Sequence, residues 1–297
     1  MMGNTPPRVS VLMTAYNRSE FIGSAIDSVL ASDFSDFELI IIDDDSKDTT
    51  VEIARDYQAR DSRVKVYVNP ENLGDYLNRN RAALLAQGRY LKYVDSDDMV
   101  YPWTLSVMLR CLERFPDAGL GLAALPEEGQ PHPIRYEPRD AYLRHFLKRD
   151  LFSRAPGSAL ICKHAFDSVG GFSGLRHVGD LEFWLKICAR FPLVTLPHGL
   201  TWDRVHTDQE KNHYTVTERT AMNIRVTLAA LADPACPLDQ SELAAVYKTL
   251  ADVHERRFWK IIAKPHNLRD AITYRRAVLD PVRRKMKAFR TTGLATA

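Results

Sequence analysis

Residues 37–46 read FELIIIDDDS, a run of apolar and branched side chains that ends in three consecutive aspartates. Such a run predicts a strand that is buried on both faces, as in parallel sheets. Similar runs stand at 8–17 (RVSVLMTAYN), 63–69 (RVKVYVN) and 89–98 (RYLKYVDSDD), with helix-like segments between them. Strands that alternate with helices of about 10–15 residues indicate βαβ units. The sequence therefore predicts an α/β fold with a mainly parallel sheet.

The ends of these strands carry the polar side chains of the predicted site. Ligands of open parallel sheets bind beyond the carboxyl ends of the strands. The segment 14–17 follows the first strand, three aspartates at 43–45 follow the second, and three more at 95, 97 and 98 follow the fourth. We expect these loops to meet at one edge of one sheet.

Helix boundaries are marked by particular residues. Ser19 is the expected N-cap of a helix after the first strand, and Gly88 is the expected C′ residue that closes the helix after the third. Pro102 is expected in the first turn of a helix that follows the fourth strand. From about residue 217 onward the pattern is helical.

Composition places the chain among ordinary globular proteins. It has 297 residues, 45% of them hydrophobic and 26% charged, with a net charge of +2, so a nucleic-acid-binding protein is not indicated. Four widely spaced cysteines, no apolar run of about 18 residues and no secretory leader predict a cytoplasmic protein with reduced thiols.

The aspartates at 95, 97 and 98 form a cluster of like charges that repel one another. A hard divalent cation such as Mg²⁺ or Mn²⁺ prefers oxygen ligands and would relieve that repulsion. The alternative is that these acids cap the helix near Pro102, although a single carboxylate would suffice for a cap. The sequence has neither a Walker A phosphate loop nor a Gly-rich dinucleotide fingerprint.

These segments together resemble a family 2 glycosyltransferase with the A-type fold. The resemblance rests on VSVLMTAYNRSEFIGSAIDSVL, FELIIIDDDSKDTT, NPENLGDYLNRN and GRYLKYVDSDD, and covers roughly residues 8–210. It implies a Rossmann-like glycosyltransferase domain at 1–214, with a nucleotide-binding half at 8–125 and an acceptor-binding half at 126–214. Residues 215–297 would form a basic, helical C-terminal extension.

The resemblance also implies a nucleotide site. The segment Thr14, Ala15, Tyr16 and Asn17 would line the nucleoside pocket, with Tyr16 stacked on the base. Asp44 would accept the imide N–H of uracil or thymine, while turn formation remains the other role for these aspartates. The remaining implied nucleotide contacts are Asn72, Gly74, Arg79, Asp95 and Ser96. Arg79 could instead be a solvated helix residue.

The implied metal ligands are Asp97, Asp98 and His206, and the spacing leaves open which aspartate contacts the ion. The catalytic residue implied by the resemblance is Asp180 in VGDLEFWLKI, a general base that takes the proton from an acceptor hydroxyl. Gly179 stands where the family often has Glu. Asp180 could instead be a helix N-cap, and Glu182 is the second candidate. A structural role for His206 also stays open.

The implied reaction is the metal-dependent, inverting transfer of one sugar from a nucleotide diphosphate sugar, UDP- or dTDP-linked. The acceptor would be a hydroxyl of a glycan, a lipid-linked molecule or a small molecule, as in cell-envelope polysaccharide synthesis. The sequence has no Gln-x-x-Arg-Trp motif, which disfavours a processive synthase. The alternatives are a sugar-1-phosphate nucleotidylyltransferase and a non-catalytic nucleotide-sugar-binding domain.

The C-terminal region is strongly basic. From Lys248 onward there are 13 Lys and Arg residues against 4 Asp and Glu, a net charge of +9, so the rest of the chain carries −7. The segment 275–290 (RRAVLDPVRRKMKAFR) combines these charges with Val282, Met286 and Phe289. We expect a peripheral contact of this segment with the anionic cytoplasmic face of a membrane, unless it is only a solvated basic helix.

Overall fold

The computed structural model describes residues 5–125, 130–205, 214–263 and 268–293. The strands are β1 (Val9–Ala15), β2 (Phe37–Asp43), β3 (Val64–Val68), β4 (Tyr90–Tyr93), β5 (Met99–Val100), β6 (Leu120–Ala124), β7 (Ile134–Tyr136), β8 (Ala159–Cys162), β9 (Leu193–Pro197) and β10 (Thr201–Trp202). The helices are α1 (Ile22–Leu30), α2 (Thr50–Arg60), α3 (Asp75–Leu85), α4 (Thr104–Leu112), α5 (Pro138–Leu143), α6 (Lys163–Ser168), α7 (Gly179–Cys188), α8 (Val216–Leu231), α9 (Gln240–Ile262), α10 (Leu268–Tyr274) and α11 (Asp280–Gly293).

Within the described residues, an eight-stranded sheet has the strand order β3-β2-β1-β4-β8-β6-β9-β7. The pairs β2–β3, β1–β2, β1–β4 and β6–β9 are parallel, whereas β8 and β7 run antiparallel to their neighbours. Strands β5 and β10 form a separate antiparallel pair. The predicted α/β fold with a mainly parallel sheet and a helical C-terminal region is confirmed.

The sheet is buried on both faces by two hydrophobic clusters. Successive residues of β1 alternate between them, since Val11 and Met13 join one cluster and Leu12 joins the other. Helices α1 and α4 cover the first face, while α3 and α7 cover the second. This double coverage explains why the strands read as continuous apolar runs rather than as alternating ones.

Three predicted helix boundaries are wrong. Helix α4 begins at Thr104 with Trp103 as its N-cap, so Pro102 precedes the helix instead of lying in its first turn. Helix α1 begins at Ile22, because the backbone N–H of Ser19 donates to the Asp48 carboxylate and the chain makes a further turn before the helix. Helix α3 ends at Leu85, and Gly88 is needed for a different reason. A Cβ atom on Gly88 would lie 2.5 Å from the backbone nitrogen of Ser10, so only glycine permits this close approach.

The C-terminal helices pack on the second face of the sheet domain. Capping boxes open α8 and α9, where Thr215 pairs with Glu218 and Asp239 pairs with Glu242. Helix α8 contacts α7, and α11 packs along α9. No helix within the described residues is both long and apolar enough to cross a lipid bilayer.

Candidate active site

The loops that follow β1 and β2 hold each other in place. The Asn17 N–H donates to Ser46 Oγ, and the Lys47 N–H donates to Asn17 Oδ1, each over 2.8 Å. Asn17 and Asp45 both have left-handed backbones, with φ of 52° and 68°, which short polar side chains tolerate best. The Asn17 side chain therefore shapes this edge of the sheet. It leaves the neighbouring Tyr16 ring 46% exposed at the same edge.

Thr14 and Ala15 are the last two residues of β1, directly before Tyr16. Ala15 is buried and Thr14 is partly buried. The backbone carbonyl of Ala15 accepts a hydrogen bond from the Asp44 N–H over 2.8 Å. These contacts join the end of β1 to the loop after β2, as expected for neighbouring parallel strands.

The Asp44 carboxylate is buried and satisfied by hydrogen bonds. Its Oδ1 accepts from Asn69 Nδ2 at 2.5 Å and from the Leu73 N–H at 2.9 Å, while Oδ2 accepts from the Gly74 N–H at 2.9 Å. Asn72 Nδ2 donates to the Asp44 carbonyl over 3.1 Å. Asp44, Asn72 and Gly74, predicted separately, thus belong to one hydrogen-bonded corner that opens α3.

A cluster of three carboxylates follows β4. Asp95, Asp97 and Asp98 each present an oxygen atom, and these atoms all lie within 4.8 Å of one another. A tight turn produces this convergence, since the Asp98 N–H donates to the Asp95 carbonyl over 3.0 Å. Ser96, between the first two, is buried. An all-oxygen set of this kind fits Mg²⁺ or Mn²⁺.

Three arginines balance these acids, of which the sequence analysis singled out Arg79 but neither Arg18 nor Arg204. Arg18 Nε lies 3.1 Å from an Asp97 oxygen, and Arg79 Nη2 lies 2.8 Å from Asp95 Oδ1. The Arg204 backbone N–H donates to Asp98 Oδ1 over 2.9 Å. Arg18 directly follows the predicted 14–17 loop, so its position at the same sheet edge was a usable signal. Arg204 joins the site only through the pairing of β5 with β10.

Asp98 remains poorly compensated despite these arginines. Burial raises the pKa of its carboxyl to about 7, and the charges of Asp95 and Asp97 act in the same direction. The hydrogen bond from Arg204 opposes this shift only in part. A carboxyl with so high a pKa in a cluster of oxygen ligands is the pattern that a bound divalent cation would relieve.

Arg79 lies in the interior between α3 and β4. Its guanidinium is 2.8 Å from Asp75 Oδ1 and 2.8 Å from Asp95 Oδ1, and it stands over the Tyr93 ring at 5.5 Å. Its Nη1 makes no hydrogen bond to any residue that the structure describes. Arg79 is therefore not a solvated helix residue but a buried cation that pairs with two carboxylates.

Asp180 stands in the first turn of α7. Burial raises the pKa of its carboxyl to about 6, although the Leu181 N–H and the charge of Arg79 act in the opposite direction. Its backbone N–H donates to the Tyr76 hydroxyl over 3.1 Å. Because Arg79 also pairs with Asp95, Asp180 and the carboxylate cluster share one electrostatic environment. Glu182, the second candidate, accepts a hydrogen bond from Ser173 on a more exposed side of the helix.

The ring of Tyr76 explains why the residue before Asp180 is Gly179 and not Glu. A Cβ atom on Gly179 would lie 2.8 Å from two ring carbons of Tyr76. The Tyr76 ring occupies the space that a Glu side chain would need, and its hydroxyl contacts the backbone of Asp180 instead.

His206, the third predicted metal ligand, lies outside the described residues. A buried lysine lies near the carboxylate cluster. Lys92, which the sequence analysis did not identify, is fully buried in β4, and its Nζ donates to the Gly157 carbonyl. Burial lowers the pKa of Lys92 to about 8, while the charges of Asp95 and Asp203 act in the opposite direction. A buried cation thus lies behind the carboxylate cluster.

The chain is similar in sequence to several curated proteins. A Mycobacterium tuberculosis protein described as uncharacterized is 25% identical over 264 residues, which cover 81% of each chain. The putative teichuronic acid biosynthesis glycosyltransferase TuaG of Bacillus subtilis is 41% identical over 97 residues. That match covers 33% of this chain and only 38% of TuaG.

Two solved structures share the fold. S. aureus TarS 1–349 in complex with UDP-GlcNAc has a TM-score of 0.65 at 17% identity, covering 96% of this chain and 92% of that one. Mannosyltransferase PcManGT from Pyrobaculum calidifontis, in complex with GDP-Man and Mn²⁺, has a TM-score of 0.64 at 20% identity, covering 99% and 81%.

The family itself is identified by its sequence profile. The family model described as "Glycosyl transferase family 2" matches residues 10–176, which are more than half of the chain. The matched range contains all of β1 but its first residue, together with β2, β4 and the carboxylate cluster. The chain therefore belongs to glycosyl transferase family 2 and is a glycosyltransferase of the A-type fold.

Proposed function

We propose that this glycosyltransferase moves a single sugar, with inversion, from a UDP- or dTDP-linked donor to an acceptor hydroxyl. The observation that carries the proposal is the link between Asp180 and the carboxylate cluster. Arg79 pairs with Asp95 and also acts on the Asp180 carboxyl, so a base and a set of cation ligands lie in one site. The acceptor would be a glycan, a lipid-linked molecule or a small molecule, and the name of TuaG agrees with a glycan.

Asp180 acts as the general base in this proposal. Its carboxylate takes the proton of the acceptor hydroxyl while that oxygen forms a bond to the anomeric carbon of the donor sugar. The bond between the anomeric carbon and the phosphate oxygen breaks, and its electron pair leaves with the nucleotide diphosphate. A carboxyl with a pKa near 6 is ionised at neutral pH and basic enough to share the proton.

The carboxylates Asp97 and Asp98, with Asp95 beside them, would hold Mn²⁺ or Mg²⁺. When bound, the cation supplies Lewis-acid neutralisation of the charge on the departing diphosphate. Arg79, which pairs with Asp95, would add positive charge near the same anion. Arg18 and Arg79 keep Asp97 and Asp95 oriented in the absence of a ligand.

The base of the donor would stack on the exposed Tyr16 ring. Asp44 Oδ2 accepts one hydrogen bond, from Gly74, and a carboxylate oxygen can accept a second, from the imide N–H of uracil or thymine. The two solved structures carry different nucleotides, UDP and GDP, so the shared fold does not select between bases. The Asp44 corner is what favours UDP or dTDP in this proposal.

The decisive experiment is a donor screen that measures release of the nucleotide diphosphate. UDP-, dTDP- and GDP-linked sugars are compared with Mn²⁺ and with EDTA. We expect release from a UDP- or dTDP-linked sugar that stops with EDTA. Release only from GDP-linked sugars would contradict the role given to Asp44, and full activity in EDTA would contradict the metal requirement.

The carboxylate cluster is tested separately by binding. We expect Asp97→Asn to weaken Mn²⁺-dependent binding of UDP or dTDP at least about tenfold, measured by calorimetry. Asp45→Asn is the matched control, because Asp45 lies on the neighbouring loop and pairs with Lys47 rather than with the cluster. Unchanged affinity in Asp97→Asn would remove this residue from the proposed metal site.

A further inference from the structure

The end of the α9–α10 helix pair exposes an unusual set of large apolar side chains. Trp259 and Ile262 lie in the last turn of α9 and are 58% and 38% exposed. Leu268 lies in the first turn of α10 and is 67% exposed, and Ile272 lies one turn further on. These four side chains, which we call the helix-pair tip, lie at the same end of the two helices because few residues separate them. Exposed apolar clusters of this kind mark interaction sites.

The tip is exposed although the two helices are firmly packed elsewhere. His254 Nδ1 lies 2.7 Å from the Tyr274 hydroxyl, and both side chains are buried. Val246 and Tyr247 of α9, and Ala271 of α10, are also buried. The inward faces of α9 and α10 are therefore already occupied, whereas the tip residues stay exposed.

Positive charge surrounds the tip. The described residues between Glu255 and Arg276 include six basic side chains against two acidic ones, a net charge of +4. Three of these basic side chains, Arg256, Lys260 and Arg269, lie within three positions of an apolar residue of the tip, and all three are exposed. The combination fits an anionic surface that also accepts apolar groups.

Helix α11, where the sequence predicts the membrane contact, presents a different arrangement. Val282 is fully buried, and Met286 and Phe289 pack against the hydrophobic core. The Phe289 ring lies 5.5 Å from the Tyr247 ring of α9. The apolar side of α11 faces the protein, so the predicted membrane face is used in folding.

We propose that the helix-pair tip docks on an anionic lipid bilayer. Trp and large aliphatic side chains partition into the headgroup region, and neighbouring Lys and Arg side chains are attracted by anionic lipids. A lipid surface accounts for both properties of the tip, because the basic side chains surround the apolar ones. This inference concerns a surface outside the donor site and does not depend on the transfer reaction.

The test is co-sedimentation of the full chain with lipid vesicles, without donor or metal. We expect binding to vesicles with about a third phosphatidylglycerol and little binding to pure phosphatidylcholine. The double variant W259S/L268S should reduce the partition coefficient by about tenfold or more, and R256Q/K260Q by about fivefold per charge. The fluorescence of Trp259 is obtained by subtracting the emission spectrum of Trp259→Phe from that of the wild type. Its emission maximum should shift to shorter wavelength when the protein binds vesicles.

Matched controls separate the tip from general surface effects. Leu84→Ser removes an exposed leucine from α3, and Arg55→Gln removes an exposed arginine from α2, and both should bind as wild type does. Circular dichroism of each variant should match that of the wild type.

Three results would overturn the proposal. The first is no binding of the wild type to anionic vesicles. The second is unchanged binding of both tip variants, together with loss in an α11 variant such as R284Q/K285Q. The third is a concentration-dependent dimer of the wild type that W259S/L268S does not form, because the tip would then be the contact between two copies of the chain. Since the assay contains no donor, its failure leaves the proposed transfer reaction intact.

Discussion

Two carboxylate-rich corners lie at the same edge of the sheet and differ in what surrounds them. Asp44 accepts three hydrogen bonds, from Asn69, Leu73 and Gly74, and so fixes the loop that opens α3. Asp98 lies among other carboxylates, and its pKa rises to about 7. The charge of Asp44 is thus compensated by donors of the protein itself, whereas that of Asp98 is compensated only in part. In the proposed function, Asp44 would therefore add one hydrogen bond to the base, while the carboxylate cluster would need a cation.

The largest expected effect concerns Asp180, whose carboxyl also has a raised pKa. We expect Asp180→Asn to lower kcat by about 10²–10⁴-fold, because the amide cannot take the acceptor proton. Donor binding, measured by calorimetry, should stay within a factor of about two of the wild type. Glu182→Gln is the matched control and should retain turnover. If Glu182→Gln is the inactive variant, the base is Glu182.

The pH dependence of the wild type sharpens this point. Because a base must be deprotonated to act, activity should fall as the pH drops through about 6, the pKa of Asp180. The quantity to measure is kcat/KM between about pH 5 and 8 with saturating Mn²⁺. A profile without an inflection in this range would indicate that a different group takes the proton.

The third prediction concerns the buried Lys92 next to the carboxylate cluster and its effect on the free energy of unfolding. Its folded-state pKa, about 8, lies below the ordinary value of 10.5, so the unfolded chain binds more protons between these values. The free energy of unfolding should therefore rise with pH across this window, by about 3 kcal/mol from this group. We expect Lys92→Met to be more stable than the wild type at pH 7 and to lose that advantage towards pH 10. Urea unfolding measures this difference.

An exposed lysine provides the control for the Lys92 experiment. Lys248→Met removes an exposed lysine and should leave the pH dependence of stability unchanged. The Gly157 carbonyl keeps the hydrogen bond from Thr201 Oγ1 in Lys92→Met. If Lys92→Met is destabilised by the same amount at every pH, the lysine acts through packing rather than through its charge.

A smaller effect is expected in the hydrogen-bonded corner. Asp44→Asn should lower the free energy of unfolding by about 1–3 kcal/mol, because the NH₂ group replaces one carboxylate oxygen and leaves either the Leu73 or the Gly74 N–H without its acceptor. Urea unfolding again provides the measurement. Asp45→Asn should have little effect, since asparagine tolerates the left-handed backbone at that position. Equal losses in both variants would contradict the stabilising role given to the hydrogen bonds of Asp44.

The sequence predicted the sheet edge better than the contacts within it. Strands β1, β2 and β4 were predictable because each is a mainly apolar run that ends in polar residues. The burial of Lys92 was not, since neither strand period nor residue type predicts a buried cation. Arg204 and Tyr76 reach the site through pairings between distant segments. Asp95, Asp97 and Asp98 were found because neighbours in sequence stay neighbours in space.

The contact between Gly179 and Tyr76 couples two distant positions in any further change of the sequence. Each residue fills space that the other would need in a larger form, so the two positions are epistatic. A Glu at 179 becomes accessible only after the residue at 76 has become smaller. The smaller residue would in turn remove the hydroxyl that holds the Asp180 backbone. The route from this Gly-Asp form to a Glu-Asp form therefore passes through an intermediate with a less constrained base.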